Sequence, residues 1–141
     1  MTNKINDLPT KDIKRFWQHM IRRHDGERVY CPLMPQGMRW HPVDGRDLNV
    51  VITVGIDFIR VFVRGEESAN PSQVAKKLDS IMEAVSATVG VPMRTGEKDR
   101  FFSKRLLIDM NNEDNWDEAA DWLWDQSQQY EKALVDGFGA R

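Results

Sequence analysis

Arginines that alternate with aromatic residues are the feature of this sequence best suited to chemistry. One run carries Arg60, Phe62 and Arg64, and Arg39 stands beside Trp40. Guanidinium groups bind phosphates or carboxylates, and aromatic rings offer surfaces on which bases stack. The binding residues expected on these grounds are Arg39, Trp40, Arg60, Phe62, Arg64, Arg94 and Lys104. The alternative is a polar sheet face in which arginine stems merely cover the rings.

Alternation along the predicted strands groups part of this set. Ile59, Val61 and Val63 would point to one face of a strand, so Arg60 and Arg64 would point to the other. We expect Arg60, Arg64, Arg94 and Lys104 to form one patch, with Phe62 as a stacking surface beside it. The stretch from Arg100 to Arg105, which includes two phenylalanines, would extend the same face. The expected ligand is an acidic protein partner or a nucleic acid.

Residues for catalysis or metal binding are sparse. His19 and His24 are five apart, whereas a helical zinc pair needs a spacing of four. Cys31 is the single cysteine, so no metal cluster or internal disulfide is expected. Asp57, and Glu97 with Lys98, are the nearest candidates for a nuclease site, but all three lie in predicted turns. We expect no metal, cofactor or catalytic residue; the alternative is a divergent nuclease-related enzyme.

Length and composition predict one domain of ordinary size. The chain has 141 residues, of which 40% are hydrophobic, enough to form a core. Residues 1–9 are expected to form a flexible tail and residues 136–141 a frayed end. No apolar run approaches the length of a membrane span or a signal peptide, so a cytoplasmic location away from membranes is expected.

The charges are unevenly distributed along the chain. Residues 1–105 carry 18 Lys and Arg against 13 Asp and Glu, whereas residues 106–141 carry 2 against 9. Such asymmetry is typical of a polar binding surface. It also fits a solvated acidic helix that keeps the protein soluble.

Hydrophobic periodicity predicts an α+β fold. Helices are expected over residues 10–25, 71–90 and 115–135, with Thr10, Asn70 and Asn115 as their caps. Strands are expected near residues 28–31, 38–41, 50–54, 58–63, 91–96 and 101–109, with a hairpin turn at Gly55-Ile56-Asp57. The expected architecture is a single antiparallel sheet of about five strands with three helices, in the order α-β-β-β-α-β-β-α.

Several motifs appear in an order similar to that of a known family. They are Phe16-Trp17, the hairpin Val50–Val63, Val89-Gly90-Val91-Pro92, the strand Phe101–Asp109, and Asn115-Trp116 followed by Trp122-Leu123. This order resembles an uncharacterised bacterial and archaeal domain, found alone or fused to restriction-endonuclease-like nuclease domains. The resemblance implies a context of DNA restriction, defence or a mobile element, and no catalytic residues.

The order of elements is also similar to that of the small acidic chaperones of type III secretion. Those chaperones form homodimers and bind an unfolded protein segment. The first hypothesis is therefore a non-enzymatic recognition or accessory domain. A dimeric chaperone-like protein binder is the alternative.

Overall fold

A computed structural model describes residues 8–24, 38–43, 47–66, 69–94, 96 and 99–139. The helices are α1 (Thr10–Arg23), α2 (Pro71–Asp79), α3 (Met82–Val89) and α4 (Trp116–Gly139). The strands are β1 (Met38–Val43), β2 (Leu48–Val54), β3 (Phe58–Gly65) and β4 (Phe101–Leu107). The predicted α+β class is confirmed, but the described residues form four strands and four α-helices rather than about five and three. None of the described helices is long and apolar enough to span a membrane.

The four strands form one antiparallel sheet in the order β1-β2-β3-β4. The predicted β2–β3 hairpin is present, and the Gly55 N–H donates to the Phe58 carbonyl at 2.8 Å to close its turn. A Cβ at Gly55 would lie 2.2 Å from the Phe58 ring, so the turn requires glycine. In the hairpin register Val50 lies opposite Val63. Because side chains alternate between the two faces of a strand, this register determines the face on which each residue of β2 and β3 lies.

One face of the sheet carries the helices. Alternate residues of β2 and β3 on that face belong to the core cluster with residues of α1, α2, α3 and α4. They are Leu48, Val50, Ile52, Val54, Ile59, Val61 and Val63. His41 points the same way, and its Nε2 lies 3.2 Å from Oε1 of Glu131 on α4. We call the opposite face the outer face; by register it carries Trp40, Asn49, Val51, Thr53, Phe58, Arg60, Phe62, Arg64, Arg105 and Leu107.

Helix α1 buries the stripe that the periodicity predicts. Ile13, Phe16, Trp17 and Met20 are buried against the sheet and α4. The predicted cap at Thr10 is wrong, because Pro9 holds the cap position and the helix has no side-chain cap. The Pro9 carbonyl instead accepts from the Asp12 and Ile13 N–H groups. The expected end near residue 25 lies outside the described residues.

The helix predicted over residues 71–90 is two helices. Asn70 caps α2 as expected, with its side-chain oxygen accepting from the Ser72 N–H at 2.8 Å. The chain then turns at Ser80 and Ile81 before α3 begins at Met82. At this turn Ile81 lies close to Gly137 of α4. A Cβ atom added at Gly137 would be only 3.1 Å from the Ile81 Cβ. Met82, at the start of α3, is 36% exposed.

The strand predicted over residues 91–96 is not a regular strand where it is described. Pro92 has no N–H to donate, and Arg94 forms an isolated bridge with Phe101. β4 begins at that bridge with a bulge, since Phe102 has φ of 55° and its N–H donates to the Met93 carbonyl at 2.9 Å. The strand predicted near residues 28–31 lies outside the described residues.

Helix α4 begins differently from the prediction. Asn112 caps a short 3-10 helix (Glu113–Asn115) by accepting from the Asp114 N–H at 3.0 Å. Asn115 does not cap α4; its side-chain amide donates to the Asp109 carbonyl. The helix continues to Gly139, four residues past the predicted end at Val135. At the other end of the chain, Leu8 is buried in the core, inside the predicted flexible tail.

Candidate recognition face of the sheet

Guanidinium groups lie over aromatic rings along the outer face. The Cζ atom of Arg64 is 4.5 Å from the centroid of the Trp40 ring, and that of Arg100 is 4.9 Å from the Phe62 ring. The guanidinium groups of Arg60 and Arg105 each lie 5.3 Å from the centroid of the same ring, that of Phe58. We call Arg60, Arg64, Arg100 and Arg105 the arginine row.

Cross-strand register explains how the row is assembled. Arg60 on β3 pairs with Arg105 on β4, so both side chains leave the sheet on the same side. Trp40 on β1 and Phe62 on β3 flank Val51 of β2 in the neighbouring row. Each stacked arginine gains about 0.5–1 kcal/mol from the ring quadrupole, which holds the guanidinium plane in place.

Stacking leaves the in-plane donors of an arginine available. A guanidinium group binds a ring through its flat face, while its N–H groups point outward in the plane as a fork that fits a carboxylate. Arg64 already shows this use, because its Nη1 lies 3.5 Å from Oδ2 of Asp99. Arg105 is exposed, and it forms no ion pair with any residue that the structure describes. The guanidinium groups of this face can therefore bind carboxylates.

Four of the expected binding residues come together here. Trp40, Arg60, Phe62 and Arg64 all lie on the outer face. The expected role of Phe62 as a stacking surface is not supported, because the ring is fully buried beneath Arg100. The Trp40 ring is likewise covered by the Arg64 guanidinium. The Phe62 ring is therefore closed to solvent, whereas Trp40 and Phe58 are partly exposed beside their arginines.

Lys104 and Arg94 do not join the patch expected with Arg60 and Arg64. Lys104 pairs with Val61 and points to the helix side, where Nζ donates to Oε1 of Gln126 on α4 at 2.6 Å. Burial there lowers the pKa of Lys104. Arg94 bridges to Phe101, which pairs with Val63 on the helix side. The side chain of Arg39 lies outside the described part of the chain.

Arg100 and Arg105 complete the row, although sequence reasoning named them only as the ends of a basic stretch. Strict alternation along residues 100–105 would place Arg100 and Arg105 on opposite faces of a strand. The bulge at Phe102 inserts an extra residue and brings both to the outer face. A positive φ at a phenylalanine has no sequence signal, so this pairing was not predictable.

Among the described residues, two buried polar atoms of the outer face have no hydrogen-bond partner. They are Oγ1 of Thr53 and Nε of Arg64, both buried. Thr53 pairs with Arg60 across the β2–β3 ladder. A buried polar group without a partner costs about 1–3 kcal/mol of stability.

The acidic end of the chain has a different role. Arg15, His19 and Arg23 on α1 contact Glu113, Asp117 and Asp121 respectively, at 2.7, 2.8 and 2.7 Å. Each pair is separated by 98 positions, so α1 and α4 run parallel and the contacts repeat every helical turn. We call these contacts the helix seam. The pKa values of Glu113 and Asp121 are lowered, chiefly by hydrogen bonds from Arg15 and Arg23.

Candidate catalytic and metal-binding residues do not form a site in the described part. Asp57 is exposed in the β2–β3 turn. Glu97, Lys98 and Cys31 lie outside the described residues. No group of three or more His, Cys, Asp or Glu side chains that could hold a metal occurs among the residues that are described.

Similarity to known proteins does not identify this face. No family model, no curated protein and no solved structure matches the chain significantly. The geometry of the arginine row is therefore the observation that bears on function.

Proposed function

We propose that this chain is a non-enzymatic recognition domain that binds an acidic segment of a protein partner through the outer face of its sheet. The observation that carries the proposal is the arginine row, four guanidinium groups held over aromatic rings on one side of the sheet. The helices occupy the other side, so the row is separated from the acidic residues of the helix seam.

Fixed guanidinium groups favour carboxylate ligands. An arginine that is already held on a ring loses little conformational entropy when its N–H fork binds a planar oxyanion. Arg60 and Arg105 share one ring, which places two positive groups close together. A carboxylate between them would reduce their mutual repulsion and accept hydrogen bonds from both.

The rings themselves argue for protein rather than single-stranded nucleic acid. Proteins that bind single strands present open aromatic faces on which successive bases stack. Here Phe62 is fully buried and Trp40 lies beneath Arg64. The face therefore has less open ring surface than such proteins present, and its hydrogen-bond donors favour a carboxylate ligand.

The cellular context rests on the family resemblance alone. We infer that the domain serves as an accessory to a DNA restriction or defence system, because the similar domain is found fused to nuclease domains. An acidic surface or tail of a protein in such a system is the partner that the arginine row would fit.

A pull-down from native lysate, with and without nuclease treatment, tests the proposal. We expect wild-type protein to capture a partner in both conditions and the Arg105→Glu variant to lose it. Lys14→Glu is the matched control, because Lys14 is exposed on α1 and the substitution changes the charge equally. Loss of the partner after nuclease treatment, or equal capture by Arg105→Glu, would contradict the proposal.

A further inference from the structure

The outward edge of β4 has main-chain groups that bond to no other described residue. The Ile108 N–H donates to the Asp57 carbonyl at 3.1 Å, which makes this pair a hydrogen-bonded one. Hydrogen-bonded and non-hydrogen-bonded pairs alternate in an antiparallel ladder. Leu106 and Lys104 therefore bond to β3, whereas the N–H and C=O groups of Arg105 and Leu107 point away from the sheet.

This edge is covered at one end only. There the Phe102 N–H donates to the Met93 carbonyl, and Phe101 forms an isolated bridge with Arg94. Within the described ranges, no further strand or loop bonds to the outward main-chain groups of Arg105 and Leu107. The part of the edge to which a further strand could bond therefore begins after the bulge and includes Arg105 and Leu107.

The side chains along this edge indicate what would pair with it. Arg105 and Leu107 both point to the outer face, one exposed and charged, the other apolar and 75% exposed. Leu107 is the most exposed large apolar residue among those described. A neighbouring strand would place residues two apart beside these side chains.

We propose that an extended segment of the partner, in which an acidic and an apolar residue lie two positions apart and so share a face, adds to the edge of β4 as a further strand. Main-chain hydrogen bonds to Arg105 and Leu107 would give affinity, as in other cases of strand addition. An acidic side chain would face Arg105 and Arg60, and an apolar one would cover Leu107. This inference rests on the proposed function and specifies how the acidic segment docks.

A second copy of this chain fits the edge less well. If two β4 strands paired, each would bring Lys104 and Arg105 close to the same residues of its neighbour. Like charges on paired strands are destabilising, and charged residues commonly protect edge strands from such pairing. Charge complementarity therefore selects an acidic segment over self-association.

Amide hydrogen exchange, measured by NMR on the whole chain, tests strand addition. The probe is an acetylated peptide that repeats Glu-Thr-Val-Thr, in which glutamate and valine are two apart and share a face, and a version with N-methylated valines is the control. We expect the first peptide to slow exchange at the Arg105 and Leu107 amides and the second to bind more weakly. Exchange at these amides that stays unchanged at saturating peptide would overturn the inference.

Two variants at Leu107 separate main-chain pairing from side-chain contact. Leu107→Pro removes an N–H that is not bonded to β3, so the β3–β4 ladder can persist. We expect about fivefold weaker peptide binding beyond that of Leu107→Thr, which keeps the N–H, because one hydrogen bond is lost. Equal binding by both variants, with resonance shifts confined to Arg60 and Arg64, would overturn strand addition while leaving the proposed function intact. Failure of the peptide to bind at all would overturn both.

Discussion

At the scale of single residues, Tyr130 of α4 forms a hydrogen bond to the bulge of β4. Its hydroxyl group donates to the Phe102 carbonyl at 2.7 Å, and the residue is fully buried. The carbonyl belongs to the residue with positive φ, so the hydrogen bond supports the bulge that brings Arg100 and Arg105 together. Burial raises the pKa of Tyr130, because the phenolate would be desolvated.

Tyr130→Phe should destabilise the fold at neutral pH. The variant leaves the Phe102 carbonyl without its partner, which should lower the free energy of unfolding by about 1–2 kcal/mol. Wild-type stability should fall as pH rises above about 10, because the unfolded tyrosine then releases its proton more readily than the folded one. Urea unfolding of both proteins from pH 7 to 11 measures this. A difference between the two that stays constant with pH would show that Tyr130 does not titrate in this way.

The sheet face on which a side chain lies was easier to predict from the sequence than the contacts that the side chain makes. Alternation correctly placed Arg60, Phe62 and Arg64 on one face of β3. It could not show that the Phe62 ring is covered, because that depends on Arg100, which is distant in sequence. The position of Lys104 was missed because the bulge at Phe102 shifts the register of β4.

At the scale of elements, the helix seam explains how α1 and α4 are aligned. Their apolar stripes fix which faces meet, and Phe16 packs edge-on against Trp116 with ring centroids 5.5 Å apart. The three side-chain contacts, each one turn further along, then fix the parallel register. Each such exposed pair contributes little to the free energy of folding. Apolar packing therefore stabilises the two helices against each other, and the polar contacts determine their register.

Asp121→Asn tests the seam through pH. Asp121 accepts two hydrogen bonds from Arg23, and its side chain is 48% exposed. The variant should lower the free energy of unfolding at pH 7 by less than about 1 kcal/mol, because solvent screens the pair. The lowered pKa means that this contribution is present above the ordinary aspartate value of about 4 and is lost at lower pH.

Chemical unfolding at pH 7 and at pH 3, in low and high salt, is the measurement. Asp57→Asn is the control, because Asp57 is exposed in a turn and has no ion pair among the described residues. A cost for Asp121→Asn that persists at pH 3 or in high salt would refute an electrostatic origin.

Element boundaries were harder to predict than element types. Asn70 and Pro71 form a local start signal, and α2 begins there as predicted. The turn at Ile81 has no such signal, because it is set by the close approach of Ile81 to Gly137 on α4. Local spacing therefore predicted one helix where tertiary packing requires two.

At the scale of the whole molecule, the uneven charges have a structural explanation. The acidic residues that begin α4 face the basic residues of α1 on the helix side. Arginines of the sheet are concentrated on the opposite side. The sequence predicted either a binding surface or a solvated acidic helix, and the fold instead pairs acidic residues near the start of α4 with α1 and leaves the arginines of the sheet on the other layer.

Binding of a labelled peptide to the purified chain tests the central claim most directly. Fluorescence anisotropy would compare a peptide that repeats Glu-Thr-Val-Thr, and its counterpart with glutamine in place of glutamate, with single- and double-stranded oligonucleotides, from about 50 to 200 mM salt. We expect selective binding of the glutamate peptide that weakens as salt rises, is reduced by Arg105→Glu and is unchanged by Lys14→Glu. Equal affinity for the glutamine peptide, or tighter binding of an oligonucleotide, would contradict carboxylate recognition by the arginine row.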